Sequence, residues 1–141
     1  MNTVRLAKQL ILDEGLRLKP YRCTAGKLTI GVGRNLEDRG ITEAEAMGLL
    51  DNDIKSFWGQ LVVKLPWITQ APDAIQEVLL NMCFNLGLAG LLQFTTTLGH
   101  MQAGEYEQAE MAMLDSKWAR QVGKRASRLG EMVRSCAPKE G

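Results

Sequence analysis

The first residues of the chain carry apolar side chains at the spacing of an amphipathic helix. These positions fall three or four residues apart, which places them on one helical face. They are Val4, Ala7, Leu10 and Ile11. Gly15 follows, and glycine commonly ends a helix because it accepts a positive φ without steric cost. The pattern predicts a helix that starts near Thr3 and ends at Gly15.

The apolar period then changes to two, which is typical of strands. Leu16 and Leu18 precede the segment 24–27, and Leu28, Ile30 and Val32 follow it. That segment contains Gly26, which fits a tight turn, so we predict a small β-hairpin. Gly31 and Gly33 flank the last apolar position, and glycines in a strand mark a bulge or a place where a ligand meets the backbone closely. We expect a groove to pass this point.

Helical spacing returns after a predicted loop at 35–40. Thr42 and Glu45 stand three residues apart, as in a capping box, and a broad apolar face follows as far as Pro66. This long helix is expected to connect two lobes.

The second half of the chain is predicted to be helical as well. Pro72 and Asp73 start a helical stretch that is expected to stop at Gly87. Further glycines predict that the remainder divides into several short helices. They are Gly90, Gly99, Gly104 and Gly123.

Charge is segregated along the chain although the formal net charge is only +1. Residues 1–35 hold 7 Lys and Arg against 2 Asp and Glu, residues 36–115 hold 3 against 12, and residues 116–141 hold 7 against 2. If both basic ends flank one groove, they would attract an anionic polymer; otherwise they are solvated faces. Nucleic acid is not expected as a partner, because no basic helix is interleaved with aromatic residues.

The chain length and the N-terminal sequence predict the number of domains and the relation to membranes. The 141 residues suit one domain, and no apolar run is judged long enough to cross a bilayer. Neither a signal peptide nor a signal anchor is read at the N-terminus, and no stable membrane association is expected.

Three cysteines cannot form a complete set of disulfides. Cys83 lies on an apolar helix and is expected to be a buried free thiol. Reduced thiols fit synthesis in the cytoplasm. A zinc site from Cys23, Cys83, Cys136 and His100 would lack any paired spacing, so we expect no metal and no cofactor.

Glu14, Cys23 and Thr29 are the candidate chemistry-bearing residues. Glu14 lies at the end of the first predicted helix, where the helix dipole disfavours a negative charge and so suits a proton donor. Cys23 and Thr29 stand on either side of the predicted turn. An acid, a thiol and a hydroxyl so close to a glycine-rich strand predict an active site.

The segment 14–33 resembles the signature of the phage-type lysozymes, glycoside hydrolase family 24, to which the T-even phage lysozyme belongs. In that family a catalytic Glu is followed after eight residues by Asp, or in some members Cys, and after five more by Thr. Glu14, Cys23 and Thr29 fit this spacing without a gap. The resemblance continues through 81–87, 94–98 and 116–126, and so covers nearly the whole chain.

The resemblance implies an α+β fold in a single lysozyme domain, residues 1–141. A small β lobe of about 15–41 and a helical lobe, 1–14 plus 42–141, would enclose the cleft. It implies an endolysin, a glycoside hydrolase that cleaves the β-1,4 bond between N-acetylmuramic acid and N-acetylglucosamine in bacterial peptidoglycan for host cell lysis.

The resemblance also implies roles for single residues. Glu14 would be the general acid, and Thr29 would hold the attacking water or line the floor beneath the anomeric carbon. Cys23 replaces the commoner Asp and, as a thiol, does not automatically supply a negative charge. If Arg22 and Lys27 favour the thiolate of Cys23, that thiolate would act as the nucleophile or as the base for water. The alternative is that Cys23 is a half-buried structural residue.

Four more positions transfer from the family. Asn35, Phe84 and Thr97 would contact substrate, and Arg125 would support Glu14 from the helical lobe. Such an ion pair would favour ionised Glu14 and so oppose the helix-end effect.

Three other functions stay open at this stage. A lytic transglycosylase would cut the same bond, a non-catalytic protein would only bind peptidoglycan, and a cysteine peptidase would use Cys23 as nucleophile with His100 as base. For the lysozyme we expect a monomer made in the host cytoplasm. It would act on the periplasmic wall after a holin permeabilises the membrane.

Overall fold

The computed structural model describes residues 1–139 and divides the chain into two compact units, Met1–Leu50 and Asp51–Gly141. Helices and a small antiparallel sheet make up the structure. This agrees with the predicted α+β class. The lobe boundaries inferred from the resemblance remain a prediction.

The first unit opens with helix α1, Thr3–Glu14, as the apolar spacing predicts. The Asn2 side chain caps its start by accepting a hydrogen bond from the Arg5 amide at 2.9 Å. Gly15 ends it with φ +80°, and its amide donates to the Ile11 carbonyl at 2.8 Å. Glu14 is therefore the last helical residue.

Three strands follow in the order β1, Arg17–Arg22, β2, Leu28–Gly31, and β3, Arg34–Asn35. The first two strands confirm the predicted hairpin. The third lies where the sequence predicts the start of a loop. Ile30 pairs with Arg34, and Thr29 with Asn35, because the chain reverses within two residues of the end of β2.

Helix α2, Glu43–Lys64, begins with the predicted capping box. The Thr42 hydroxyl accepts from the Glu45 amide at 3.1 Å, and the Glu45 carboxylate accepts from the Thr42 amide at 2.9 Å. Both Glu45 oxygens also accept from the Arg34 guanidinium, at 2.9 and 2.7 Å. One carboxylate thus joins the start of α2 to strand β3.

The second unit is helical. After the end of α2 and a short 3-10 helix, Pro66–Gln70, its residues up to 139 contain five further α-helices. These are α3, Asp73–Leu92; α4, Thr95–Gln102; α5, Tyr106–Leu114; α6, Lys117–Val122; and α7, Lys124–Arg134.

The glycines of the second unit behave in two ways. Gly87 interrupts α3 with φ +73° and ψ 165° at the predicted residue, although a further helical turn follows. Gly104 and Gly123 also have positive φ and separate helices, as predicted. The divisions expected at Gly90 and Gly99 are wrong, because both residues keep negative φ inside helices, where glycine costs stability without breaking the helix.

Among residues 1–139, the buried apolar core lies between Leu61 and Val133. Helix α3 contributes more core residues than any other element: Ile75, Val78, Leu79, Met82, Cys83 and Leu91. By length and composition α3 could span a bilayer, which corrects the expectation that no segment could. Because these six side chains pack in the core, we interpret α3 as a core helix.

The contacts of Glu45 predict a pH dependence of stability. Hydrogen bonds from Arg34 first, and then from the Thr42 amide and hydroxyl, lower the Glu45 pKa to about 2. A carboxyl group whose pKa is depressed by folding stabilises the fold above its unfolded value of about 4.5, and this contribution is lost as pH falls towards 2. Glu45→Gln should therefore lower Tm at pH 7 and lose less Tm than the wild type between pH 4.5 and 2.

The control is Glu43→Gln, which removes an exposed carboxylate from the same first helical turn. Parallel Tm profiles for the wild type and Glu45→Gln over this range would contradict the assignment. Thermal melts by circular dichroism measure both.

Candidate active site

The Glu14 side chain lies against Gly33, in the turn between β2 and β3. A Cβ atom built on Gly33 would stand 2.9 Å from Glu14 Oε2, 3.2 Å from its Cδ and 3.3 Å from its Cβ. Any other residue at position 33 would therefore meet the side chain along its length. Sequence reasoning selected Glu14 and noted the glycine, but gave no reason to connect the two.

The turn that carries Gly33 needs two residues with positive φ. Gly31 has φ +69° and Gly33 has φ +63°, values that favour glycine. A Cβ on Gly31 would meet nothing within 4 Å. The two glycines thus share a backbone requirement, but only Gly33 also faces the acid.

Cys23 follows the last residue of β1 and is half-buried. The amides of Lys27 and Ala25 hydrogen-bond to its sulfur and lower the pKa of the thiol. Partial burial opposes this, while the Thr29 hydroxyl and the Cys23 amide add to the lowering. Backbone amides from positions 23, 25 and 27 thus favour the negative form of the sulfur.

The cause of this lowering differs from the one that the sequence suggested. Arg22 Nη1 donates to the Glu37 carboxylate at 2.8 Å and to the Gly26 carbonyl at 3.0 Å. The Lys27 ammonium lies 3.3 Å from Asp38 Oδ1. Both cations are therefore paired with acids, and backbone amides, not side-chain charge, favour the thiolate.

Thr29 is only 3% exposed because it lies on the central strand, where it pairs with Tyr21 on one side and Asn35 on the other. Its hydroxyl donates to the Lys27 carbonyl at 2.8 Å. Since a hydroxyl has one proton, it can serve this carbonyl or the Cys23 thiolate, but not both at once. Thr29 thus couples the protonation of Cys23 to the turn at 24–27.

Asn35 organises its own loop in this structure. Its amide nitrogen donates to Asp38 Oδ2, and its amide oxygen accepts from the Asp38 backbone amide, both at 3.0 Å. A glycan would have to compete with these bonds. The substrate-binding role of Asn35 stays a prediction.

In the second unit, Phe84 and Thr97 differ in accessibility. The Phe84 side chain is 40% exposed, and its ring tilts against that of Phe57 with centroids 5.2 Å apart. Thr97, on α4, is 3% exposed and offers a glycan little surface. Both substrate-binding roles stay predictions, and Phe84 has the more accessible surface.

Arg125 is fixed by a residue that the sequence did not single out. Its Nε and Nη2 donate to Asn81 Oδ1 at 2.9 and 2.7 Å, and Nη2 also donates to the Asn81 carbonyl at 3.1 Å. Asn81 stands on α3 within one of the segments of family resemblance, and that was the one available signal. The support of Glu14 by Arg125 remains a prediction.

Cys83 is buried in the core, as expected, and burial raises its pKa to about 11. Environment therefore shifts the pKa values of Cys83 and Cys23 in opposite directions. Cys83 is a structural thiol, whereas Cys23 has the partial exposure and the lowered pKa of a reactive one.

The Phage lysozyme family model matches residues 12–134, a range that includes Glu14, Cys23 and Thr29. The chain belongs to this family. The resemblance stated from the sequence is confirmed.

Individual relatives agree with this assignment. The chain is 33% identical to an endolysin of Acyrthosiphon pisum secondary endosymbiont phage 1, over 89% of this chain and 86% of the relative. It is 31% identical to a SAR-endolysin of Escherichia phage Mu, over 82% and 67% of the two chains. It is also 32% identical to the pre-baseplate central spike protein Gp5 of Enterobacteria phage T4, over 91% of this chain but only 27% of the spike protein's length.

The surroundings of Cys23 predict its reactivity. Because amides lower its pKa, Cys23 should react with iodoacetamide at a lower pH than a cysteine in an unstructured peptide, with the pH midpoint of the rate moved downward. Buried Cys83 should stay unmodified in the folded protein. Peptide mass spectrometry after timed alkylation across a pH series resolves the two sites.

Lys27→Gln is the matched variant, because it removes the charged side chain but keeps the backbone amide. Its Cys23 midpoint should stay near that of the wild type. A midpoint that rises to the free-cysteine value in this variant would show that side-chain charge is the cause after all.

Proposed function

We propose that this chain is a lytic endolysin that acts on bacterial peptidoglycan as a glycosidase. More specifically, it hydrolyses the β-1,4 bond between N-acetylmuramic acid and N-acetylglucosamine. The observation that carries the proposal is Glu14, an exposed acid at the end of α1 held against the glycine turn, in a chain of the phage lysozyme family.

Glu14 supplies the first requirement of the reaction. Cleavage of a glycosidic bond needs a proton for the leaving oxygen and stabilisation of an oxocarbenium-like centre. An accessible carboxylic acid can donate that proton at the start of the reaction. In this proposal Glu14 is the general acid.

Cys23 and Thr29 meet the second requirement. The amides of Lys27 and Ala25 lower the pKa of Cys23, and the thiolate that they favour would carry the negative charge of the aspartate in the commoner family pattern. Attack by its sulfur on the anomeric carbon would give retention of configuration, whereas activation of water would give inversion. The Thr29 hydroxyl, beside the sulfur, would hold that water or support the thiolate.

Access to the wall is a separate part of the proposal. We place the enzyme in the host cytoplasm as a monomer that a holin releases, so that lysis of a host expressing the chain requires a co-expressed holin. The relatives named SAR-endolysins make secretion-type release to the periplasm the competing route. Lysis without a holin would favour that route.

The central test compares products released from purified peptidoglycan by the wild type and Glu14→Gln. Reducing muramic acid ends should appear with the wild type and fall by about 10²-fold or more with the variant, the usual range for loss of a general acid. Asp13→Asn is the matched control, since it removes the neighbouring carboxylate at the same helix end and should stay active. Mass spectrometry of the sugar fragments reads the result.

Each alternative leaves its own signature in this assay. Anhydro-muramyl ends would identify a lytic transglycosylase, and an absence of products with retained wall binding would identify a binding protein. Cleaved peptides with intact glycan, abolished by His100→Ala, would identify the cysteine peptidase. Full activity of Glu14→Gln would remove Glu14 from the mechanism.

A second prediction concerns Cys23. Cys23→Asp restores the commoner family residue and keeps an anion at this position, so it should retain muramidase activity. Cys23→Ala, which keeps neither the charge nor the nucleophile, should lose activity by about 10²-fold or more. Rates of reducing-end release measure both variants, and a Cys23→Ala enzyme as active as the wild type would make Cys23 structural.

A further inference from the structure

We propose that Gly33 is a positioning residue for Glu14: the missing side chain at position 33 leaves the space in which the carboxylate is held for proton transfer. This inference rests on the proposed function, because it assigns Gly33 a part in the chemistry of Glu14. It concerns the position and orientation of the Glu14 carboxylate.

A side chain at position 33 would clash with Glu14. A Cβ on Gly33 would lie 2.9 Å from Glu14 Oε2, closer than such atoms approach in proteins, and 3.2 Å from the carboxyl carbon. The carboxylate is the far end of a flexible side chain and can swing aside, whereas the Glu14 Cβ, 3.3 Å away, can move only with the helix. The two closest contacts of a methyl group at position 33 are therefore relieved by displacing the carboxylate, and the Cβ contact adds a smaller cost in stability.

The turn that carries Gly33 is held on both sides. On one side of Gly33, strand β2 is paired with two neighbours through Thr29. On the other side, Arg34 donates two hydrogen bonds to Glu45, and its Nη1 also donates to the Gly40 carbonyl at 3.1 Å. Paired geometry of this kind fixes orientation. The turn therefore cannot readily move away from an added methyl group, and the Glu14 side chain yields instead.

The contact of position 33 with Glu14 can be distinguished from the need for a positive φ by comparison with Gly31. Gly31 and Gly33 both have positive φ, so alanine at either position pays a similar conformational cost. A methyl group on Gly31 meets no atom within 4 Å, whereas one on Gly33 meets Glu14. Gly31→Ala is thus a matched control for everything except contact with the acid.

The test compares Gly31→Ala and Gly33→Ala on soluble glycan strands. Gly33→Ala should lose somewhat more Tm than Gly31→Ala, because its methyl group also lies 3.3 Å from the Glu14 Cβ. Gly33→Ala should lower kcat by about 10²-fold with KM little changed, the scale expected when a catalytic group is misplaced by about 1 Å. Gly31→Ala should stay within a few-fold of the wild type, and equal kcat losses in the two variants would overturn the inference.

A second readout does not depend on activity. In protein labelled with carboxyl-¹³C glutamate, the Glu14 resonance, assigned by its loss in Glu14→Gln, should shift in Gly33→Ala and stay in place in Gly31→Ala. An unshifted resonance in Gly33→Ala would overturn the contact. A wild type without glycan products would instead refute the proposed function, and this measurement would still decide the contact.

If Gly33→Ala fails to fold, the double variant Glu14→Ala/Gly33→Ala keeps the inference testable. Removal of the Glu14 side chain beyond Cβ takes away the contacts at 2.9 and 3.2 Å and should restore folding, leaving only the 3.3 Å contact with the Cβ. Failure of the double variant to fold would show that the carboxylate is not the group that position 33 accommodates, and would overturn the inference.

Discussion

Contact between the Glu14 side chain and Gly33 is the constraint on which the proposed chemistry depends. It requires a helix that ends at Glu14, a reversal within two residues after β2, and a residue without a side chain at the point of contact. The first two conditions have a local cause in the positive φ values of Gly15, Gly31 and Gly33, and the third is met by the missing side chain of Gly33. The hydrogen bonds between Arg34 and Glu45 hold the strand that follows this turn.

The pKa of the Cys23 thiol is lowered by the backbone around it. Its sulfur lies among amides of the turn that follows β1, and these favour the thiolate without a nearby free cation. This arrangement gives a physical reason why a cysteine can stand where the family commonly has an aspartate. The anion would be supplied by the fold of the loop, whereas an aspartate carries it intrinsically.

The sequence predicted what depends on local rules. Helix α1, the first hairpin and the capping box at Thr42 all follow from spacing or from a single residue type. Strand β3 was missed because two residues are too few to show a period. The divisions at Gly90 and Gly99 were wrong because a glycine breaks a helix only when it leaves helical φ and ψ, which composition does not reveal.

The candidate site shows the same limit. Spacing picked out Glu14, Cys23 and Thr29, and the family match covers all three. The contacts that give them their properties join residues far apart in sequence, such as Gly33 with Glu14 or Asn81 with Arg125. No one-dimensional pattern encodes such pairs.

The predicted source of the Cys23 pKa shift was wrong for a related reason. The charges of Arg22 and Lys27 are visible in the sequence, but the acidic residues that pair with them are not.

The two units differ in their buried apolar side chains. Within the described residues 1–139, each unit contains three ion pairs, but the buried apolar side chains belong to the second unit. The first unit has its small sheet and the pairs Arg22 with Glu37, Lys27 with Asp38, and Arg34 with Glu45. Dissolved salt screens exposed ion pairs and leaves hydrophobic packing intact or stronger. Rising ionic strength should therefore loosen the unit that carries Glu14 and Cys23 before it affects the helical core. The candidate site would then lose its order while most of the helices remain folded.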